Sequence, residues 1–244
     1  MARAMATRRS RPRGDAPAEG GPLRLTPGQQ RALEDLERLW RRLALHLLRS
    51  GKLERPWAVG VTSALPGEGR TTTAVGLALA LAQEGGEPVA LVEAGPGRGC
   101  LAGDFGVQET PGLREHLSGE APLEAALRPT GVANLTLLPL GGERDGAGGG
   151  APSVPLWRGL PGVLEPLRRR FAYTLLDLGP LVTEAGAAGA ARAAAGAVRV
   201  VRSGWAPLAK VREAAGLLEG RLLGVVHVGA PSAVPRWLSH LLTE

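Results

Sequence analysis

A glycine-rich turn followed by three threonines is the part of the sequence best suited to bind phosphate. The turn, T-S-A-L-P-G-E-G-R-T-T-T, follows a short apolar run at residues 57–62 and precedes a helical pattern. Phosphate-binding loops of the form G-x-x-x-x-G-K-[ST] have the same setting, because their backbone N–H groups and the following helix N-terminus surround the anion. The sequence therefore predicts a nucleotide-binding segment made of Gly67, Glu68, Gly69, Arg70, Thr71 and Thr72.

Two residues of this loop depart from the pattern. Ala64 replaces the first glycine and Arg70 replaces the lysine. A lysine ammonium is a compact charge, whereas a guanidinium is larger and planar and forms hydrogen bonds as a fork. We therefore expect Arg70 to keep the positive charge without the geometry at the β- and γ-phosphates, so that ATP binds weakly and phosphoryl transfer suffers. Thr71 can still offer its hydroxyl to Mg²⁺.

The composition is that of a globular chain, with 244 residues and a net charge of +6. A single cysteine, Cys100, excludes a disulfide framework and a multi-cysteine metal site. No apolar run reaches the roughly 18 residues that cross a bilayer, and the first residues lack the apolar segment of a signal peptide, so we expect a cytoplasmic protein. Five arginines within residues 1–14 could hold it at the inner face of an anionic membrane; a solvated tail is the alternative, and nucleic-acid binding is less favoured.

Composition divides the chain into three parts. Residues 1–25 are basic and contain Pro and Gly, which is typical of a disordered tail. Residues 26–51 predict a long amphipathic helix whose apolar stripe packs on the domain or pairs with another chain. Residues 52–244 predict one domain, within which residues 141–155 form a flexible, glycine-rich loop. The apolar stripe of the helix consists of Leu33, Leu36, Trp40, Leu43 and Leu47.

Within the domain, short apolar runs alternate with helical patterns. This alternation predicts an α/β fold, a doubly wound and mostly parallel sheet with helices on both faces, as in P-loop NTPases. Ligand sites of such sheets lie at the carboxyl ends of the strands. The predicted strands cover residues 57–62, 88–93, 135–140, 173–178, 197–202 and 222–228. The predicted helices cover residues 71–84, 112–118, 121–127, 157–170 and 207–219.

Several segments resemble the bacterial tyrosine kinases of capsule and exopolysaccharide biosynthesis and the related chain-length regulators of polysaccharide export. The resemblance includes the phosphate loop and covers about residues 30–230. It is most specific at 105–141, because the phrases PGL-x-x-x-L-S-G-E and R-P-T-x-x-x-N-L distinguish this family from the related septum-placing and partitioning ATPases. It continues in FAYTLLDLGP (171–180), VRVVRSG (198–204) and LLGVVHVG (222–229).

The resemblance implies an ATP site in which Asp177 is the acid at the end of a hydrophobic strand. Asp177 would act in catalysis and, together with Thr71, would hold Mg²⁺. Pro180, which follows that acid in the family, is also present.

Other positions depart from the family pattern and lead us to interpret the chain as a degenerate member. Arg70 replaces the loop lysine, and Glu93 and Gly95 stand where the family has D-x-D. Glu93 could instead cap the following turn. Gly186 stands where a further aspartate is expected, and Val228 where an asparagine would recognise adenine.

The family's phosphate acceptors and oligomerisation motif are also altered. Active members have a C-terminal cluster of tyrosines, whereas this chain has one tyrosine, Tyr173, which we expect to be buried. The motif E-x-x-R-x-x-R corresponds to Glu34, Glu37 and Trp40. Oligomerisation through helix 26–51 would therefore need contacts other than those two arginines.

These observations favour a regulatory or structural cytoplasmic subunit of exopolysaccharide or capsule biosynthesis, with weak or no ATP turnover. The resemblance implies a membrane polysaccharide co-polymerase, or chain-length regulator, as its partner. One alternative is an active ATP-dependent tyrosine kinase or ATPase that uses Arg70 in place of lysine. A second is a partitioning-type scaffold that binds DNA or membrane through its basic tail, and a third is a structural domain without a ligand.

Overall fold

The computed structural model describes residues 27–49, 53–95, 101–142, 155–218 and 220–229, with side chains from Glu37 onward. Residues 1–35 and 36–244 separate into two units, and the contacts described below belong to the second unit. The predicted tail at 1–25 and most of the predicted loop at 141–155 lie outside the described residues, so both remain predictions.

The described residues form eight helices and seven strands. The helices are α1 (Pro27–Arg49), α2 (Arg70–Glu84), α3 (Leu101–Asp104), α4 (Leu113–Leu117), α5 (Leu123–Ala126), α6 (Leu156–Arg170), α7 (Ala187–Ala193) and α8 (Leu208–Leu218). The strands are β1 (Trp57–Ser63), β2 (Val89–Glu93), β3 (Arg128–Pro129), β4 (Leu135–Leu138), β5 (Tyr173–Asp177), β6 (Gly196–Arg202) and β7 (Leu222–Val228). The short elements α3, β3 and α7 were not predicted from the sequence. None of the described helices is long and apolar enough to span a membrane.

The strands form one sheet in the order β3-β4-β2-β5-β1-β6-β7. All neighbouring strands are parallel except β3, which is antiparallel to β4. Strand β1 lies between β5 and β6, so the turn that follows β1 reaches the carboxyl edge near the middle of the sheet. The predicted mostly parallel sheet is therefore confirmed.

Successive side chains of a strand point to opposite faces of the sheet. Helices cover both of these faces. One face packs against α6, α7 and α8, and the other packs against α1, α2 and α3. The first face includes Ala58, Ala90, Val92, Leu176 and Ala197. The second face includes Val59, Val61, Leu91, Leu175 and Val198. This confirms the predicted doubly wound fold.

The part of α1 from Glu37 onward packs against α2. Trp40, Ala44 and Leu47 are buried in the core on that face of the sheet. The Trp40 ring lies directly over Gly76 of α2, where an added Cβ would lie 2.4 Å from Trp40 Nε1. The apolar stripe of this helix is thus covered within the chain over its C-terminal half.

Candidate nucleotide site

The predicted phosphate loop joins β1 to α2 and contains two glycines in the left-handed conformation. Gly67 has φ of 86° and Gly69 has φ of 93°, values that side chains rarely adopt. Gly69 is the N-cap residue of α2 and provides no side-chain cap. Because the first N–H groups of a helix have no carbonyl partner within it, the loop presents backbone donors at the positive end of the helix dipole. This arrangement suits an anion.

Glu68 stabilises the loop through hydrogen bonds to its buried carboxylate. Its side chain is fully buried. One carboxylate oxygen accepts the Leu65 N–H at 2.7 Å, and the other accepts the Arg202 N–H at 3.2 Å. Glu68 was predicted as part of the nucleotide-binding segment, and its carboxylate connects that segment to the end of β6.

Arg70 and Thr71 both contact the carboxylate of Asp177. Arg70 Nε donates to Oδ1 at 2.9 Å, and the Thr71 hydroxyl donates to Oδ2 at 2.8 Å. Asp177 ends β5, which is paired with β1, and the two donors begin the helix that follows β1. The topology thus brings together three residues predicted from the sequence, and it directs the Arg70 guanidinium at the acid.

This contact is a buried ion pair. The side chains of Arg70 and Asp177 are 9% and 3% exposed. Burial raises the pKa of the Asp177 carboxyl above its ordinary value, while the Arg70 guanidinium and the Thr71 hydroxyl oppose that shift. A buried ion pair offsets its desolvation only while both partners are present. Arg70 therefore favours the ionised form of the buried Asp177 carboxyl.

Two further residues cover the outside of the loop. The indole N–H of Trp205 donates to the Pro66 carbonyl at 2.8 Å, and its ring lies so close to Gly67 that a Cβ there would be 2.8 Å away. Arg202 stacks 4.6 Å from the Trp205 ring centroid and donates to the Gly67 carbonyl at 3.2 Å. The sequence analysis missed both side chains, because no spacing in the sequence indicates that the turn after β6 reaches the loop after β1.

Glu93 is buried at the end of β2, where it pairs in register with Asp177 of β5. It accepts the Leu140 N–H at 3.2 Å and also a hydrogen bond from the backbone of Leu101, the first residue of α3. Burial raises the pKa of the Glu93 carboxyl, whereas these two backbone donors lower it. Leu140 follows β4 and is not part of the turn after β2, so the alternative that Glu93 caps the following turn stays a prediction.

At two of the remaining altered positions an added side chain would collide with its neighbours, and the third carries an apolar side chain. A Cβ on Gly95 would lie 2.2 Å from the Gly179 nitrogen, so an aspartate cannot fit here without movement of the backbone. A Cβ on Gly186 would lie 2.7 Å from the Trp157 ring. Val228 lies beside the loop, with its Cγ2 3.9 Å from the Cβ position of Gly69, and its apolar side chain cannot form a hydrogen bond with a base.

A cavity of about 180 Å³ lies at the carboxyl ends of β2 and β5, next to these altered positions. Its wall includes Trp157 of α6 and one carboxylate, Glu184. Gly95 and Gly179 line its floor. It therefore extends the candidate site from Asp177 toward α6 and α7.

The residues present fit ATP with Mg²⁺ only in part. Thr71 Oγ1 and Asp177 Oδ2 are adjacent oxygens of the kind Mg²⁺ prefers. No group of three or more His, Cys, Asp or Glu in the described part of the chain could hold a metal ion, so further Mg²⁺ ligands would come from phosphate and water. The limitation is Arg70, because a metal ion at Asp177 would meet a guanidinium already bound to the same carboxylate.

Tyr173 lies at the opposite end of β5 from Asp177 and is fully buried, as expected. Its ring centroid is 4.8 Å from that of Trp57. Its hydroxyl has no hydrogen-bond partner among the described residues. Burial raises the pKa of this phenol, and the nearby Arg55 opposes the shift.

Comparison with curated proteins finds bacterial tyrosine kinases. The chain is 32% identical over 125 residues to tyrosine-protein kinase CpsD of Streptococcus pneumoniae, a match that covers 50% of this chain and 52% of that relative. It is 28% identical over 184 residues to tyrosine-protein kinase CpsD of Streptococcus agalactiae, covering 75% and 77%. The chain thus aligns with about half the length of the first relative. No protein-family model matches it.

Solved structures show the same fold. The kinase domain of Escherichia coli tyrosine kinase ETK superposes with a TM-score of 0.68 at 23% identity, over 80% of this chain and 74% of that chain. The BceF tyrosine kinase domain gives 0.65 at 28% identity, over 82% and 78%. The septum site-determining protein MinD of Pyrococcus horikoshii, solved with Mg-ADP, gives 0.58 at 23% identity, over 76% of each chain. The chain is therefore a homologue of the bacterial tyrosine-protein kinases of the CpsD type and has the P-loop fold of their kinase domains.

Proposed function

We propose that the chain is a regulatory or structural subunit related to the tyrosine kinases of capsule and exopolysaccharide biosynthesis, with weak or no ATP turnover. The proposal rests on the 2.9 Å ion pair between Arg70 and Asp177. In this pair the cation of the phosphate loop and the acid suited to Mg²⁺ neutralise each other. Phosphoryl transfer depends on positioned positive charge and Mg²⁺, so a site in this state is poorly prepared for it.

Weak binding of ATP with Mg²⁺ is part of the proposal. Backbone N–H groups of residues 67–71 would hold phosphate, and Thr71 with Asp177 would contact Mg²⁺. Bound Mg²⁺ would neutralise phosphate charge, while Arg70 would act as a charge anchor for the site. The MinD structure with Mg-ADP supports this placement by analogy of fold.

The partner we propose is a membrane polysaccharide co-polymerase, approached from the cytoplasmic side of the membrane. Its support is the family resemblance and the homology to tyrosine kinases of the CpsD type. The surface offered to it would include the carboxyl edge of the sheet. Membrane contact through residues 1–14, and the scaffold alternative that depends on the basic tail, concern residues outside the described part of the chain.

A second candidate is an active ATPase or tyrosine kinase in which Arg70 takes the functional role of the phosphate-loop lysine. The observation that favours it is the 2.8 Å contact between Thr71 and Asp177, which keeps two oxygens together where Mg²⁺ would bind. This candidate requires ATP turnover, with phosphate transferred to a partner protein.

Thermal denaturation with and without Mg²⁺–ATP tests the proposal. Ligand that binds the folded state raises the melting temperature, and at 100 times the dissociation constant the added stability is about 2.7 kcal/mol. We expect a small rise at millimolar ATP that is absent in Arg70→Ala and retained in Arg212→Ala, an exposed arginine on α8. The ligand-induced change is compared within each variant, since Arg70→Ala also lowers the stability of the free protein.

A phosphate-release assay on the same samples separates the two candidates. We expect the wild-type chain to release phosphate no faster than the Asp177→Asn variant does. Wild-type turnover that Asp177→Asn abolishes would establish the active enzyme instead.

A further inference from the structure

Four arginines meet at the amino-terminal edge of the sheet, away from the phosphate loop. Strands β2, β5 and β1 are neighbours, so the segments before them come together with the last turn of α6. These segments line a surface cavity of about 350 Å³. The arginines that line it are Arg55, Arg168, Arg169 and Arg170.

The lining of the cavity carries a net positive charge, although Arg169 and Arg170 each have a carboxylate partner. Glu87 is the only acidic residue among the described residues that line it. Arg169 pairs with Glu165 at 3.3 Å, and both side chains are exposed. Exposed ion pairs of this kind are weak, so a more strongly bound anion can compete with the carboxylate.

Two of the arginines have no carboxylate partner among the described residues. The Nε of Arg168 is buried and has no hydrogen-bond partner within the described part of the chain. Arg55 is exposed, and its guanidinium carbon lies 5.2 Å from the centroid of the Tyr173 ring. Arg168 also lines the cavity, so an anion there would meet the terminal N–H groups of its guanidinium.

Stabilisation of the helix end does not account for the whole cluster. Basic residues in the last turn of a helix complement its dipole, which explains Arg168, Arg169 and Arg170 at the end of α6. It does not explain Arg55, which precedes β1, or the buried Arg168 Nε. These two features indicate a ligand shared between α6 and the segment before β1.

We propose that this cavity binds a phosphate group, carried either by a soluble phosphate compound or by an anionic lipid headgroup. Guanidinium groups bind phosphate oxygens through paired N–H donors, and two such groups from different elements define a pocket. The site is independent of the phosphate loop, since it lies at the other edge of the sheet and uses none of the loop residues.

Arginine modification by phenylglyoxal, followed by peptide mass spectrometry, locates the site directly. Inorganic pyrophosphate is the soluble probe, and vesicles of phosphatidic acid in phosphatidylcholine are the lipid probe, with pure phosphatidylcholine vesicles as the control. Either probe should protect Arg55 and Arg168 and leave Arg212 of α8 reactive. Protection by pyrophosphate alone identifies a soluble ligand, and stronger protection by phosphatidic acid vesicles identifies the headgroup.

Paired variants test the affinity. The change Arg55→Gln with Arg168→Gln should weaken binding of the protecting probe about tenfold or more, the scale of one lost charge-assisted hydrogen bond. The matched control, Arg42→Gln with Arg212→Gln, removes the same charge from exposed positions and should leave the affinity within about twofold. The variant Arg168→Lys keeps the positive charge at this position. It is the control for a loss of binding that results from misfolding of the Gln variants. Equal loss in both pairs, or no protection of Arg55 and Arg168, would overturn the proposal.

Discussion

Arg70 can serve two partners in a way that lysine cannot. A guanidinium has five N–H donors arranged as a fork, and the contact from Nε to Asp177 uses one of them. Binding of phosphate would therefore compete with Asp177 for the charge of Arg70. The substitution changes the loop from a site with a free point charge into one whose charge is shared with a buried acid.

Removing Arg70 should make stability depend on pH in a defined direction. In Arg70→Met the buried Asp177 carboxylate loses its cation, and its pKa in the folded state rises further above the unfolded value. The folded variant then holds a proton that the unfolded chain has released, so its stability falls as pH rises through that range. We expect a loss of about 3 kcal/mol near pH 7 that shrinks toward pH 4.

Urea denaturation of both proteins from pH 4 to pH 8 measures this difference. The double change Arg70→Met with Asp177→Asn removes the titrating group and should make the loss independent of pH. A loss of equal size at all pH values in Arg70→Met would contradict the buried ion pair.

Glu93 gives a second pH prediction of the same sign but without a cation. Because burial raises the pKa of Glu93, the folded chain binds this proton more tightly than the unfolded chain does. Its contribution to stability is therefore present at low pH and is lost as pH rises through the raised value. Glu93→Gln keeps an oxygen acceptor for the Leu140 N–H and should gain stability relative to wild type between about pH 4 and pH 8.

Comparison of the free energies of unfolding of Glu93→Gln and wild type at both ends of that pH range checks this prediction. Glu165→Gln is the control, because this exposed residue of α6 should change stability little at either pH. A relative stability of Glu93→Gln that falls with pH would show that the backbone hydrogen bonds outweigh burial.

At the scale of elements, contact between α1 and α2 depends on the absence of a side chain at Gly76. A Cβ at this position would lie 2.4 Å from the Trp40 nitrogen and 2.6 Å from Cδ1 of the same ring. The helix pair can therefore approach closely only with glycine here. A glycine inside a helix is unfavourable for the isolated helix, so the contact with Trp40 offsets a local disadvantage.

Gly76→Ala should destabilise the protein although alanine favours helix formation. Overpacking of a filled core costs about 1–3 kcal/mol, which exceeds the gain of up to about 1 kcal/mol from helix propensity. Gly216→Ala on α8 is the matched control, because no atom lies within 4 Å of its added Cβ, and it should stabilise the protein. Urea denaturation measures both changes. Equal stabilisation by the two substitutions would mean that Trp40 does not rest on Gly76.

At the scale of the whole molecule, the arrangement of strands could be predicted and the long-range contacts of the site could not. Apolar runs of strand length alternating with helices determine a parallel sheet, and a parallel sheet brings Asp177 to the edge where the phosphate loop lies. Trp205 and Arg202 reach the loop only because β6 pairs with β1, which no local pattern specifies. Helix α7 was missed because its sequence, AAGAARA, has no period of large apolar residues.

The single tyrosine provides a final test of the whole fold. Tyr173 is 0% exposed and begins the strand that ends in Asp177, so a kinase can reach it only when the sheet opens. Open states of folded proteins are populated at about 10⁻³ or less, so an added broad-specificity tyrosine kinase should label the native chain at least about a hundredfold more slowly than a synthetic peptide of residues 168–178. Tyr173→Phe defines the background signal. Native labelling as fast as that of the peptide would mean that β5 leaves the sheet readily, and the contact of Asp177 with Arg70 and Thr71 would then be lost in the same opening.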